Sequence, residues 1–307
     1  MQQDGKSWTA DGAEAASLDR AAEVFLAVRP RLFGIAYRML GIASEAEDLV
    51  QEVWLRWQGT DRSVVYDPPA FLATTAVRLS LNAVQSARFR RESYIGPWLP
   101  EPIDLDSDPS LGAERNEALS LAVLLLLEKL NPTERAAYVL REAFDYDYGR
   151  IAEILEITEA NARQLVSRAR KHIADSRRMP VKKDEQQRLL EAFIAAAQKG
   201  DLATLESMFA EDVVSLSDGG GVATAARLPM VGRERVARFI AAFKDFYWPG
   251  MQIQWVEANG EPAALLSRDG VVVTVATIEA SEDGIWQIQW MMYPPKMERI
   301  FARHAKD

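Results

Sequence analysis

The sequence predicts a multidomain chain: two all-α helical units, the second ending in a helix-turn-helix, followed by a C-terminal α+β domain. Three observations carry this. Residues 18 to 178 keep the apolar period of helices in two blocks, parted by a stretch rich in Pro and Gly at 92 to 115. From Val213 onward the alternation is that of strands, with Asn-Gly and Asp-Gly pairs between them. Residues 131 to 173 read as three short helices, the last of them basic outside its apolar stripe, in a chain whose formal net charge is -9.

Bulk composition narrows the class. At 307 residues the chain exceeds a usual single core. Hydrophobic content of 48% and charged content of 26% describe a soluble globular protein. The longest apolar run, Leu121 to Leu127, stops at Glu128 and Lys129, so a buried helix is expected and no membrane association. The N-terminus lacks the basic and apolar regions of a signal peptide, which points to the cytoplasm. Zero cysteines exclude disulfides and thiolate metal sites, and with only His172 and His304 a multi-histidine centre is excluded too. No metal and no cofactor are expected.

In the first block, residues 18 to 91 are all-helical with breaks expected at Pro30, at Gly41 and across Gly59 to Pro69. Ser44 to Glu47 reads as a capping box opening a helix with the core stripe Ala46, Leu49, Val50, Val53 and Trp57. Another face of that helix carries Asp48, Gln51, Glu52 and Leu55, an arrangement that suits either a solvated surface or a basic partner helix. Asp67 can cap the next helix, Phe71 to Arg91, which turns basic late with Arg78, Arg88, Arg90 and Arg91 beside Asn82, Gln85, Ser86 and Phe89. Arginines there supply phosphate contact, and amides and aromatics can bond or stack bases of an opened strand.

The second block runs from Glu114 to about Arg178. Asn131, Pro132 and Glu134 start a helix that buries Ala136, Val139, Leu140 and Ala143. Ile151, Ala152, Ile154 and Leu155 mark a second, and Glu156-Ile157 leaves only a tight connection to the third, capped by Thr158. Ala162, Leu165, Val166, Ala169 and Ile173 form the apolar stripe of this last helix, leaving Arg163, Gln164, Ser167, Arg168, Arg170 and Lys171 outside it. That is the look of a helix read into a DNA groove, with a basic solvated helix in a plain hairpin as the alternative.

A charged boundary at Met179 to Glu185 opens the last domain. An amphipathic helix follows, closed by Gly200, and Leu202, Leu205 and Phe209 begin another. Strands are expected at Val213 to Leu216, Gln252 to Ala258, Ala263 to Ser267, Val271 to Ile278 and Ile285 to Met292, turning at Asn259-Gly260, Asp269-Gly270 and Asp283-Gly284. A helix at Arg233 to Phe246, with Val236, Phe239, Ile240 and Phe243 inward, interrupts this antiparallel meander. Asp218 to Gly221 reads as a tight turn with positive φ.

Asp48-Leu-Val-Gln-Glu-Val-Trp54, the basic helix ending Ser86-Ala-Arg-Phe-Arg-Arg-Glu-Ser93 and the helix-turn-helix together resemble an extracytoplasmic-function sigma factor of bacterial RNA polymerase. Tyr94-Ile-Gly-Pro-Trp-Leu-Pro-Glu-Pro102 resembles the linker motif of the subfamily with a fused C-terminal SnoaL-like domain. Asp218-Gly-Gly-Gly221 is similar to a signature of that domain, and Tyr293-Pro-Pro-Lys-Met297 stands in the place of its near-terminal Asn-Pro-Asp-Lys-Leu motif. Val222 departs from the usual lysine, and Tyr293 and Pro295 from the usual asparagine and acidic residue.

The resemblance implies sigma region 2 over 18–92, a linker with Trp98-Leu-Pro-Glu-Pro102 over 93–113, sigma region 4 over 114–178, and a regulatory SnoaL/NTF2-like α+β cone over 184–307. It implies that Asp48, Gln51, Glu52 and Trp54 engage the clamp helices of the polymerase core's largest subunit. Promoter DNA would be met at the −10 element by Arg78, Asn82, Arg88, Arg90 and Arg91, and at the −35 element by Glu159, Asn161, Arg163, Gln164, Ser167 and Arg168. Trp98, Leu99, Pro100, Asp218, Gly219, Gly220, Gly221 and Lys296 would form a regulatory contact between linker and C-terminal domain, whose pocket leaves room for a small apolar ligand.

The cone fold includes enzymes, and this domain offers Asp212, Asp218, Asp245 and Asp269, but no pair is spaced in a way that compels catalysis and no catalytic residue is assigned. A DNA-binding module fused to an enzyme or small-molecule sensor, and a promoter-binding repressor, remain the competing readings.

Overall fold

The computed structural model describes residues 7–91, 94–105, 120–176 and 178–300. The chain divides into two compact units, residues 1–86 with 131–167, and residues 87–130 with 168–307.

In the first unit, α1 (Ser7–Leu40) runs straight through Pro30, where a break is expected from sequence. From Leu32 onward Leu32, Phe33, Ile35, Ala36, Tyr37, Met39 and Leu40 are buried, and burying so many side chains outweighs a proline penalty of about 3 kcal/mol. Gly41, at φ 70°, ends the helix. Helix α2 (Ala43–Gln58) buries Ala46, Leu49, Val50, Val53 and Trp57 as the period requires. Its N-cap is Ile42 rather than Ser44, which lies inside the first turn; Ile42 gives no side-chain cap bond, and Glu47 accepts from Arg29 at 2.5 Å. Asp67 does cap α3 (Pro68–Arg91), accepting from the Ala70 amide at 3.1 Å.

Helix α4 (Leu121–Glu128) belongs to the second unit. Asn131 accepts from the Glu134 amide to open α5 (Pro132–Glu142), with Pro132 at its first turn. Helix α6 (Tyr148–Leu155) ends on Glu156 in the left-handed conformation, φ 56°, which turns the chain in three residues into α7 (Glu159–Ser176). Thr158 accepts from the Asn161 amide at 3.2 Å. Ala162, Leu165, Val166, Ala169 and Ile173 are all buried.

The C-terminal part packs α8 (Lys183–Lys199), α9 (Leu202–Met208) and α10 (Arg233–Ala241) on a six-stranded sheet in the order β2-β1-β6-β5-β4-β3. The strands are β1 (Phe209–Asp218), β2 (Met230–Val231), β3 (Gln252–Ala258), β4 (Glu261–Arg268), β5 (Val271–Ser281) and β6 (Gly284–Met291). Strands β3 to β6 form the expected meander, but β1 pairs with β6 in parallel. Helices α8 and α9, rather than a hairpin, deliver the chain to β1, so no tight turn fixes its direction.

Asn259-Gly260 and Asp269-Gly270 are two-residue turns with both φ values positive. The third turn sits one residue earlier than expected: Gly284 pairs with Ser281 and is already strand. Phe209 likewise starts β1 rather than continuing a helix. The interrupting helix stops at Ala241, five residues short of Phe246, and leaves Phe243 40% exposed.

Both faces of the sheet are covered. On one side Ala264, Leu266, Ala276, Ile278 and Trp290 pack with Leu190, Phe193 and Ile240 of the helices. On the other, Ala263, Leu265, Val275 and Met291 pack with Leu99, Met297 and Ile300. Leu99 comes from the supposed linker, so residues 94–105 are a strap forming part of this unit's second layer.

Candidate regulatory seat and nucleic-acid faces

The strap is held by a buried carboxylate. Asp218, at the end of β1, is fully buried, and its Oδ1 accepts from the Tyr94 hydroxyl at 2.5 Å and the Gly220 amide at 3.1 Å. Its Oδ2 accepts from the Leu99 amide at 2.8 Å and from Lys296 Nζ at 2.8 Å. Lys296 is buried too and donates to the Leu99 carbonyl at 2.6 Å, with Nζ 4.4 Å from the centroid of the Trp98 ring. A buried charge pair is tolerated only when its remaining hydrogen-bonding capacity is filled, and here the strap fills it. Burial, and then the Asp218 carboxylate, push the Tyr94 phenol well above the ordinary tyrosine range, so it stays a donor.

The glycines follow from the same geometry. Gly220, φ 57°, lies under the Tyr293 ring, where a Cβ would come within 2.3 Å of Cδ2. Gly221, φ 76°, faces Ile95 of the strap with room for a Cβ only at 3.0 Å. Further along, the Ile103 amide donates to Asn259 Oδ1 at 3.0 Å and the Asn259 amide to the Ile103 carbonyl at 2.7 Å. Arg299 faces the buried Glu101 at 3.6 Å.

The structure therefore brings Trp98, Leu99, Asp218, Gly220, Gly221 and Lys296 together, with Pro100 and Gly219 buried beside them. Sequence reasoning missed Tyr94, Tyr293 and Asn259 as members. Asn259 carried a turn signal only, and nothing in the spacing of Tyr94 marks its hydroxyl as a ligand of Asp218.

Asp218 is accordingly no free catalytic base. Asp212 is paired with Arg178 at 2.5 Å, which holds its carboxyl below the usual range; Asp245 is exposed, and Asp269 sits in a hairpin turn. His304 lies outside the described residues. No cluster of His, Cys, Asp and Glu fit to hold a metal occurs among the described residues. Likewise, no helix among them is long and apolar enough to cross a membrane.

On α7, Glu159, Arg163, Gln164, Ser167 and Arg168 are exposed and Asn161 is half-buried, a polar face opposite the buried stripe. Arg163 is paired with Glu159 and lies over the Tyr148 ring, 4.4 Å from its centroid, which orders the guanidinium at the surface. On α3, Arg78 and Asn82 are exposed; Arg88, Arg90 and Arg91 are on the same helix, but their side chains are outside the described residues. On α2, Asp48 and Gln51 are exposed, Glu52 pairs with Arg56 at 2.8 Å, and Trp54 rests on Phe25 with ring centroids 5.0 Å apart. Leu55, 60% exposed, completes that face.

Within the first unit, α1 also packs on α5 and the loop that follows it. Arg135 is buried and donates to the Met39 carbonyl at 2.6 Å, and Arg31 donates to the Phe144 carbonyl while lying over Tyr146. Arg78 reaches Glu156, in the turn before α7, at 2.6 Å.

Comparison with known proteins is consistent along the chain. The family model for Sigma-70 region 2 matches residues 24–90, and that for Sigma-70, region 4 matches residues 120–173. The chain is 39% identical over 251 residues to the ECF RNA polymerase sigma factor SigJ of Mycobacterium tuberculosis, covering 78% of this chain and 79% of the relative. It is 29% identical over 288 residues to the probable ECF RNA polymerase sigma factor SigI of that species, covering 92% of this chain and 97% of the relative. The crystal structure of the Mycobacterium tuberculosis SigJ superposes with a TM-score of 0.72 at 32% identity, covering 91% of this chain and 98% of that one.

Proposed function

The chain belongs to the extracytoplasmic-function RNA polymerase sigma factors, non-enzymatic factors of transcription initiation, and from that premise we propose that its strap and C-terminal domain regulate promoter engagement in cis. In this reading region 2 occupies 18–92, the linker 93–113, region 4 114–178 and the regulatory domain 184–307. The protein acts in the cytoplasm, where polymerase core and promoter DNA meet. Asp48, Gln51, Glu52 and Trp54 face the clamp helices of the core; Arg78, Asn82, Arg88, Arg90 and Arg91 meet the −10 element; and Glu159, Asn161, Arg163, Gln164, Ser167 and Arg168 meet the −35 element.

The observation that carries cis-regulation is the seating of Tyr94 to Leu99 on Asp218 and Lys296. Positions −35 and −10 lie about 25 base pairs apart, roughly 85 Å at 3.4 Å per base pair. The roughly 28 residues between Arg91 and Ser120 reach about 95 Å fully extended. A seated strap withdraws residues 94–105 from that reach, so docking and a two-element promoter grip oppose each other. The closed contact need not be strong. Tethering supplies an effective concentration near millimolar, and an interaction of about 10 µM would favour docking roughly a hundredfold.

The test is initiation by reconstituted holoenzyme with the full chain, with Lys296→Met and with a chain cut after Met179. Unseating the strap should raise initiation; equal initiation by all three, at equal core binding, would show that the seat regulates nothing. A second part of the proposal is that the pocket of the regulatory domain takes a small apolar ligand that shifts this balance.

A further inference from the structure

The C-terminal domain holds a cavity of about 270 Å³ between the sheet and α10. Phe239, Phe243, Tyr247, Trp248, Trp290 and Met292 form most of its wall. The polar atoms of two of these rings are already engaged, Trp290 Nε1 by Ser215 Oγ at 3.1 Å and the Tyr247 hydroxyl by Thr274 Oγ1 at 2.5 Å. Burial pushes the Tyr247 phenol up, so it carries no charge near neutral pH. Among the described residues, neither a carboxylate nor an ammonium, guanidinium or imidazole lines the space. Beyond the rings it presents the hydroxyls of Ser217, inside, and Thr224, at the mouth. An ionised ligand would lose hydration there without a countercharge, whereas a flat ring system gains from stacking and area burial. The volume suits a fused-ring compound.

The cavity shares walls with the strap seat. Successive residues of a strand face opposite sides: Ser217 of β1 looks into the cavity, and Asp218, next to it, accepts from Tyr94 and Leu99 on the other side. The rim residues Thr224, Ala225 and Ala226 belong to the loop that follows the glycines. The backbone of that loop closes on the strap, so that a Cβ at Gly96 would meet Arg227 Cα at 3.8 Å and the Ala226 carbonyl oxygen at 3.9 Å. The loop 224–227 thus joins the rim of the cavity to the segment that touches Gly96.

We propose that this cavity binds an uncharged fused-ring aromatic compound carrying a hydroxyl or carbonyl, and that its occupancy alters how firmly the strap sits. The regulatory half rests on the cis-regulation reading; the binding half does not.

The test uses the full-length protein with 2-naphthol as probe and 2-naphthoate as its charged counterpart. Trp248 and Trp290 report binding by quenching of fluorescence. Saturable binding of 2-naphthol is expected, at least tenfold tighter than 2-naphthoate, and weakened at least tenfold by Phe243→Asp or, on the exposed loop, Thr224→Asp. Hydrogen exchange across residues 94–105 should change at least threefold on saturation. Absence of saturable quenching, equal binding of the carboxylate, or indifference to both substitutions overturns the ligand class. Binding with unchanged exchange at 94–105 overturns the coupling. Failure of cis-regulation itself shows separately, as equal initiation by wild type and Lys296→Met with naphthol binding intact.

Discussion

Replacing Tyr94 by phenylalanine removes one hydrogen bond from the strap seat and little else. The ring keeps its edge contact with Tyr293, centroids 6.4 Å apart, and Asp218 keeps Gly220, Leu99 and Lys296 as donors. No buried charge is orphaned, so the cost is that of a single bond to an ionised acceptor, about 1.5–3 kcal/mol. Tyr94 is only half-buried, and water can serve its hydroxyl once the strap leaves, which places the loss at the lower end, about 1.5 kcal/mol. Since 1.4 kcal/mol is tenfold in an equilibrium constant, the strap should open about ten times more often. Hydrogen exchange of the full chain reads this directly, because the Leu99 amide is bonded to Asp218 and the Ile103 amide to Asn259. Exchange over 94–105 should quicken about tenfold while β4 and β5 stay as slow as in wild type. Unchanged exchange over 94–105 would refute the reasoning, as would equal acceleration throughout the sheet.

Four further outcomes are expected. Gly220→Ala must hold a side chain at φ 57° and 2.3 Å from the Tyr293 ring; left-handed strain alone costs roughly 1–2 kcal/mol, so both strap protection and the thermal midpoint should fall, and an unchanged midpoint would contradict the geometry. Arg163→Ala breaks an exposed pair with Glu159 and a surface contact with the Tyr148 ring, each worth up to about 1 kcal/mol, so stability should change by less than about 2 kcal/mol, while discrimination among −35 variants, measured by holoenzyme binding, drops by about 1–3 kcal/mol. Arg78→Ala should reduce the salt slope of promoter binding by about one, and an unaltered slope would remove Arg78 from the DNA contact. For pH, the raised phenol of Tyr94 means that strap protection, corrected for intrinsic exchange, is full below the ordinary tyrosine value of about 10 and declines above it, where the free strap ionises first; a decline between pH 7 and 9 would contradict this.

The legibility of the chain differed by residue. Helix α7 was readable to its cap because Thr158, the stripe from Ala162 to Ile173 and the tight Glu156-Ile157 connection are local features, set by neighbours three or four positions away. The hairpin turns at 259–260 and 269–270 were equally plain, since Asn-Gly and Asp-Gly suit paired positive φ values. Pro30 misled because its local penalty is outweighed by burial along Leu32 to Leu40, and Ser44 misled because the helix begins before it, at Ala43, with Ile42 as the N-cap. Polar residues such as Glu211 and Asp212 before the expected strand, and Ser217 and Asp218 after it, hid the true length of β1; Ser217 is buried beside the cavity and Asp218 beneath the strap.

By itself the sequence determined the helical and strand periods, the caps at Asp67, Asn131 and Thr158, two of the three hairpin turns, and through its motifs the family to which the chain belongs. Only the tertiary structure decided that residues 94–105 are a layer of the C-terminal unit rather than a free connector. Proline and glycine set local stiffness, which is written in the chain, whereas a seat for Tyr94 and Leu99 exists only where Asp218 and Lys296, 78 positions apart, meet in a place too dry for either charge to stand alone.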